Sequence, residues 1–140
     1  MVHALYEAQR VLKPDGRLID LRPMHNHRRI GISRAGIYQQ IGLMREKFDN
    51  DLAPDRAVAH VLREGSLNTE KCIEFNCNRV MDSFNEFKEW LTEFTVLDHL
   101  SSHDWLLEKV QRALAEKPGK HKVMCSGPLK LQVLRKRAVR

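Results

Sequence analysis

The chain has 140 residues, of which 42% are hydrophobic and 30% charged, with a net charge of +6. These are proportions of an ordinary globular protein long enough to bury a core. No apolar run is long enough to cross a membrane, and MVHALYEAQRVL carries Glu7 and Arg10 inside its apolar pattern with no cleavage-like motif. A membrane anchor and a secretory signal are therefore excluded from the reading, and a cytoplasmic location is the expectation.

Leu5, Ala8, Val11 and Leu12 share one helical face, and Pro14 pushes the residue before it out of helical geometry, so a first helix should end near Lys13. Lys13-Pro14-Asp15-Gly16 fits a type I turn, with proline at the second position and glycine at the fourth. Arg17 to Arg22 then reads as a strand whose Leu18, Ile19 and Leu21 fall on both faces, the pattern of a strand covered on two sides in a parallel sheet. Ile30 and Ile32, then Ile37, Ile41 and Leu43, flank an Ala35-Gly36 turn and predict a pair of extended strands. Pro54 and Asp55 suit a first helical turn, Val58, Val61 and Leu62 form its stripe, and Gly65 stops it. Ile73, Phe75 and Cys77 alternate with Glu74, Asn76 and Asn78, predicting a strand with one buried face and one wet face.

Ser83-Phe84-Asn85-Glu86 is a capping-box sequence, and Phe84, Phe87, Trp90, Leu91 and Phe94 follow at helical spacing. A further helix runs from about Ser102 through Trp105, Leu106, Val110 and Leu114, and Pro118-Gly119 ends it. Both tryptophans sit in apolar stripes, so they are expected in the core. Lys122 to Cys125 and Leu129 to Arg135 flank Ser126-Gly127-Pro128, a candidate terminal hairpin.

The segment Gln9-Arg10-Val11-Leu12-Lys13-Pro14-Asp15-Gly16-Arg17-Leu18 resembles the helix and fifth strand of class I S-adenosylmethionine-dependent methyltransferases, with Asp15 where that family usually has glycine. The resemblance implies an α/β fold: the late strands of a Rossmann-like sheet, closed by an antiparallel terminal hairpin, with an α+β insertion. On this basis residues 1–140 form a single domain, with 1–23 and 83–137 the late half of the sheet and 28–81 an insertion that serves as a substrate lid. It also implies that the chain corresponds to the carboxyl-terminal half of such an enzyme. The family's glycine-rich cofactor loop lies upstream of the matching segment, and Gly31, Gly36 and Gly42 form no such fingerprint. S-adenosylmethionine is thus implied for the complete family enzyme, while this chain alone is expected to bind no cofactor and to be inactive.

In open α/β sheets ligands bind at the carboxyl ends of strands. That end here is Asp20 to Pro23, and the resemblance turns it toward the acceptor. Arg22 is a candidate partner for an anionic acceptor, His25 and His27 are candidate bases, and Tyr38 is a further candidate substrate-binding residue. No catalytic residue is assigned, and no small-molecule acceptor is identified. His25-x-His27 with Cys72 and Cys77 lacks convincingly spaced further ligands, so no metal is expected, and Cys77 reads as a buried thiol. The three cysteines, with Cys125, are an odd number without framework spacing and point to reduced thiols.

Two other readings compete. A strand Arg17 to Arg22 without its usual neighbour leaves an open apolar edge, suited to a homodimer or to a complementing amino-terminal half. The basic stretches His25 to Arg29 and Leu134 to Arg140 suggest nucleic acid, but neither interleaves the aromatics of a base-stacking surface, so that partner is disfavoured.

Overall fold

The computed structural model describes residues 1–97, 100–116 and 119–137. The chain is an α/β protein with an open, mostly antiparallel five-stranded sheet, and its residues group into two compact units, each with its own core.

The first unit comprises Met1–His25, Phe48–Phe75 and Pro128–Arg140. Helix α1 (Val2–Val11) leads into strand β1 (Arg17–Pro23), helix α2 (Asp49–Arg63) follows, and the first part of strand β4 (Leu67–Met81) and the last part of strand β5 (Lys122–Lys136) complete it. β1 pairs antiparallel with β5 in a continuous register from Arg17↔Arg135 to Pro23↔Leu129. Leu18 and Leu134, which face each other across this ladder, pack with Val58, Val61 and Leu67 and with Val2, Leu5 and Tyr6 of α1. Strand alternation therefore puts both helices on one face of the sheet. The other face carries Ile19 at 67% exposure and Leu21 at 53%, opposite Val133 and Leu131.

The second unit comprises Asn26–Lys47 and Asn76–Gly127. Strand β2 (Arg29–Arg34) pairs with strand β3 (Ile37–Leu43) and, over Arg29↔Ser126 to Ser33↔Lys122, with β5. Ala35 and Gly36 join β2 to β3 with φ of 47° and 80°, the left-handed pair that a two-residue hairpin turn needs to match strand twist. Helices α3 (Phe84–Leu97) and α4 (Asp104–Glu116) bury Phe87, Leu91, Leu106 and Val110 against Ile30, Met44, Met81 and Val123. Trp90 and Trp105, expected in the core, are only partly buried and pack against its margin. The Ser83 half of the α3 cap forms as expected, its Oγ accepting from Glu86 N at 3.1 Å, while the Glu86 carboxylate accepts from the amide of Asp82 at 2.8 Å, one residue before the cap position.

Several expectations need correcting. β1 is antiparallel to its neighbour and covered on one face only, because its partner strand returns through the sheet and both helices pack on the Leu18 side. The hairpin expected at Ser126-Gly127-Pro128 is instead the middle of one fifteen-residue strand. Proline has a φ compatible with a strand and merely lacks a donor; here it falls between the last pair with β2, at Ser126, and the first with β1, at Leu129, while its carbonyl accepts from Met24 N at 2.9 Å. β4 extends well beyond Ile73–Cys77 and is exposed from Asn68 to Val80, so its alternation does not mark a buried face and Cys77 is not a buried thiol. α2 begins at Asp49 and holds Pro54 inside it rather than in its first turn. Pro118 lies outside the described residues.

The turn before β1 also differs. Gly16 N donates to Lys13 O at 2.8 Å, but Asp15 has φ of 60°, so its third residue is left-handed as in a type II turn rather than a type I turn. Asp15 gains only a solvent-exposed ion pair with Arg135 at 3.2 Å in return. In urea denaturation Asp15→Val should lose about 1–2 kcal/mol, the cost of a branched side chain in left-handed backbone, whereas Asp15→Gly should stay within about 0.5 kcal/mol of the parent or exceed it. Equal losses for the two would refute a strained Asp15.

Candidate functional site

The carboxyl end of β1 carries a partly buried polar cluster built on strand alternation. Asp20 and Arg22 stand two residues apart and so share a face, the one on which Leu18 is covered, and each side chain is 16% exposed. Nε of Arg22 donates to both Asp20 oxygens, at 2.9 and 2.8 Å. Its Nη1 reaches Asp55 on α2 at 2.5 Å, and its Nη2 lies 3.4 Å from Oε1 of Gln132. Gln132 is buried and directly opposite Asp20 in the β1–β5 register. His25, just past the strand, places Nε2 3.4 Å from the second Asp55 oxygen, with its ring tilted on Phe48 at 6.0 Å.

Arg22 and His25 are therefore brought together, through Asp55. The guanidinium is held by two carboxylates and an amide, which makes it a device for fixing Asp20 and Asp55 in place. In its neutral form, an imidazole whose Nε2 faces a carboxylate keeps the proton there and leaves Nδ1 as the basic nitrogen. The cluster can thus orient one base and order the end of β1.

His27 and Tyr38 belong to the other unit. Nδ1 of His27 accepts from the amide of Glu46 at 3.1 Å, and Glu46 in turn accepts from the amide of Arg28 at 2.8 Å, closing the loop between β1 and β2 onto the segment after β3. Tyr38 lies across Gly31, where an added Cβ would fall 2.4 Å from its ring and 2.5 Å from the carbonyl of Gln39, and burial raises its hydroxyl pKa. Arg28 stacks its guanidinium over Phe94 at 4.6 Å.

Sequence reading missed Asp20, Asp55 and Gln132 as members of the cluster. Asp20 and Arg22 carry a legible signal, opposite charges at strand spacing two. Asp55 and Gln132 are distant in sequence and become neighbours only through the β1–β5 register and the docking of α2. Also missed was His103, buried in the second unit between Thr95 Oγ1 at 3.2 Å and the carbonyl of Arg45 at 3.1 Å.

No three His, Cys, Asp or Glu side chains gather as metal ligands among the described residues. Cys72 and Cys77 are exposed free thiols, while burial pushes the Cys125 thiol up to about 12. Arg17 grips Glu70 with two bonds of 2.7 and 2.8 Å and holds that carboxyl below the usual glutamate range. Among the described residues no helix is long and apolar enough to cross a membrane. No protein-family model, curated protein or solved structure matches the chain.

Removing one partner of a mostly buried ion pair leaves the other uncompensated. Arg22→Met should cost about 2–3 kcal/mol in urea denaturation, less than a fully buried pair because Asp55 is 43% exposed. Adding Asp20→Asn should restore at least half of that loss. A single variant as stable as the parent would mean that the cluster does not bind the strand end together.

Proposed function

We propose that this chain is the acceptor-side portion of an S-adenosylmethionine-dependent methyltransferase-like protein, and that these residues alone bind no cofactor. The observation that carries the reading is the helix, Lys13-Pro14-Asp15-Gly16 turn and strand at Gln9–Leu18, joined to a sheet in which β1 lies antiparallel to the last strand and that strand also pairs β4. Asp15 supports it further: its left-handed φ is the backbone state for which glycine, the residue of the resembled family, is suited. A Rossmann-like sheet belongs to the same proposal.

In this reading His25 is the candidate base at the strand exit and Arg22 a positioning residue acting through Asp55. Methyl transfer from a sulfonium asks chiefly for in-line orientation of the acceptor, with a base where the acceptor must lose a proton. The 140 residues contain no glycine-rich loop running from a strand straight into a helix, and without such a loop the cofactor has no backbone cradle. Titration calorimetry of the isolated chain with micromolar S-adenosylmethionine should therefore show no saturable binding, while the form of the protein purified from its source cells should cross-link the cofactor under ultraviolet light. Stoichiometric binding by the isolated chain, or no cross-linking of the native form, would overturn the proposal.

A second reading, an assembly module, is favoured by one specific observation. β1 has β5 as its only strand partner among the described residues, and Ile19 and Leu21 stand out on the uncovered face. Open edges and apolar faces of this kind associate. Multi-angle light scattering of the isolated chain should give a mass above that of the monomer, and Ile19→Ser with Leu21→Ser should bring it down to the monomer. A strictly monomeric parent would remove this reading.

A further inference from the structure

A cleft of about 620 Å³ opens at one end of the second unit, where three chain junctions converge. The β2–β3 turn contributes Ser33, Ala35 and Gly36. The entry to α3 contributes Asp82, Ser83 and Phe84. Leu114 near the end of α4 and the segment Gly119–Val123 at the start of β5 close the third side. The volume falls within the range of small-molecule sites.

Its lining is divided by chemistry. Phe84, Leu114 and Val123 form an apolar floor, the last fully buried and the other two partly so. The rim is polar and predominantly cationic. Lys122 is engaged by Asp82 at 3.0 Å, which neutralises that one carboxylate. Lys120 has no ion-pair partner among the described residues, His121 stands next to it in the lining, and the Arg34 guanidinium, outside the lining, lies beside Gly119. Ser83 Oγ spends an acceptor lone pair on the α3 cap, so its hydroxyl proton is available to donate into the cleft. Unpaired cationic and hydroxyl donors above an apolar floor select a ligand with the opposite arrangement.

We propose that this cleft binds a small organic anion: a carboxylate on an aromatic or short aliphatic body, with the body on Phe84, Leu114 and Val123 and the carboxylate at Lys120 and the Ser83 hydroxyl. The site lies wholly within the second unit and does not depend on the methyltransferase-like reading. Its cations sit at the rim, so affinity carries a salt-dependent part, and the floor supplies a part that is not.

The test uses the whole chain and naphthalene-2-carboxylate as probe, followed by calorimetry, with naphthalene-2-methanol as the uncharged analogue. The carboxylate should bind saturably and the alcohol at least about fivefold more weakly, the scale of one charge contact near the surface. Lys120→Glu, an exposed substitution that spares the core, should weaken the carboxylate by a similar factor and leave the alcohol unchanged. Leu114→Trp, checked for an unchanged circular dichroism spectrum, should abolish binding of both. The Ile19→Ser, Leu21→Ser variant should bind the probe like the parent. No saturable binding, equal affinity for acid and alcohol, indifference to Lys120→Glu, or loss of binding in the Ile19, Leu21 variant would each overturn the assignment, the last by moving the probe to the exposed strand face.

Discussion

The pairing of β5 is the constraint on which the rest depends. Fifteen consecutive residues of this strand carry backbone donors and acceptors that must be satisfied; β1 meets part of them over Leu129 to Arg135, β2 meets part over Lys122 to Ser126, and β4 also pairs with the strand. Side chains alternate strictly, so a slip of one residue against β1 would turn Gln132 and Leu134 outward and Leu131 and Val133 inward. Such a slip would empty the small core of the first unit of Leu134 and remove Gln132 from Arg22. Pro128 lies between the β1 and β2 ladders, where a missing donor costs neither of them a cross-strand bond. That position tolerates proline in a long strand because the partner changes there.

The two units solve burial by different means. In the second, an aromatic and aliphatic core runs from Ile30 and Met44 through Phe87 and Leu91 to Leu106 and Val110, and the buried His103 has both ring nitrogens within bonding distance of polar atoms. The first has a smaller apolar cluster centred on Leu134 and Val61, and on the same face Arg22 and Asp20, mostly buried, join buried Gln132 and the more exposed Asp55 in a polar cluster. Ion pairs of this kind add little net stability, since desolvation offsets most of the Coulomb attraction, but once formed they tolerate few alternative geometries. The first unit thus spends stability on defining the exit of β1, and the side chain at that exit is His25. Under the proposed function, that local order is the ground for assigning the base to the strand exit rather than to Tyr38, whose ring covers Gly31.

Local grammar was the most legible part of the sequence. The α3 cap, the Ala35-Gly36 hairpin and the helical stripes of α3 and α4 are decided by neighbours within a few residues, and the structure contains each of them. What could not be read were properties set by partners distant in the chain. Leu18, Ile19 and Leu21 are apolar on both faces, which in isolation describes a strand covered twice; only the docking of both helices on the Leu18 side decides that Ile19 and Leu21 face outward. The alternation around Ile73 and Phe75 likewise suggested a buried face that the long, exposed β4 does not have. Ser126-Gly127-Pro128 has the composition of a turn, and a strand runs through it because backbone partners exist on both sides of the proline. Of the site, the Asp20 and Arg22 pair was open to inspection as opposite charges at strand spacing, whereas Asp55, 33 residues from Arg22, was not.

The outward apolar residues of β1 limit how this chain can associate. Pairing its open edge with another strand satisfies backbone groups in the plane of the sheet, yet side chains project perpendicular to that plane. Ile19 and Leu21 therefore remain exposed after any purely edge-to-edge union, and a two-fold copy would merely place two such faces side by side. Covering them requires a second layer, a helix or sheet laid across Ile19, Leu21, Leu131 and Val133, and each large aliphatic side chain buried there is worth about 1.5–3 kcal/mol. The Arg17–Glu70 pair borders the same face, since Arg17 stands two residues from Ile19 and so shares its side of the strand, and it sets a charged limit that a covering layer has to respect. Any partner covering this face would have to present an apolar layer with polar margins, and a strand alone, however well it pairs with β1, would leave the larger part of the driving force unused.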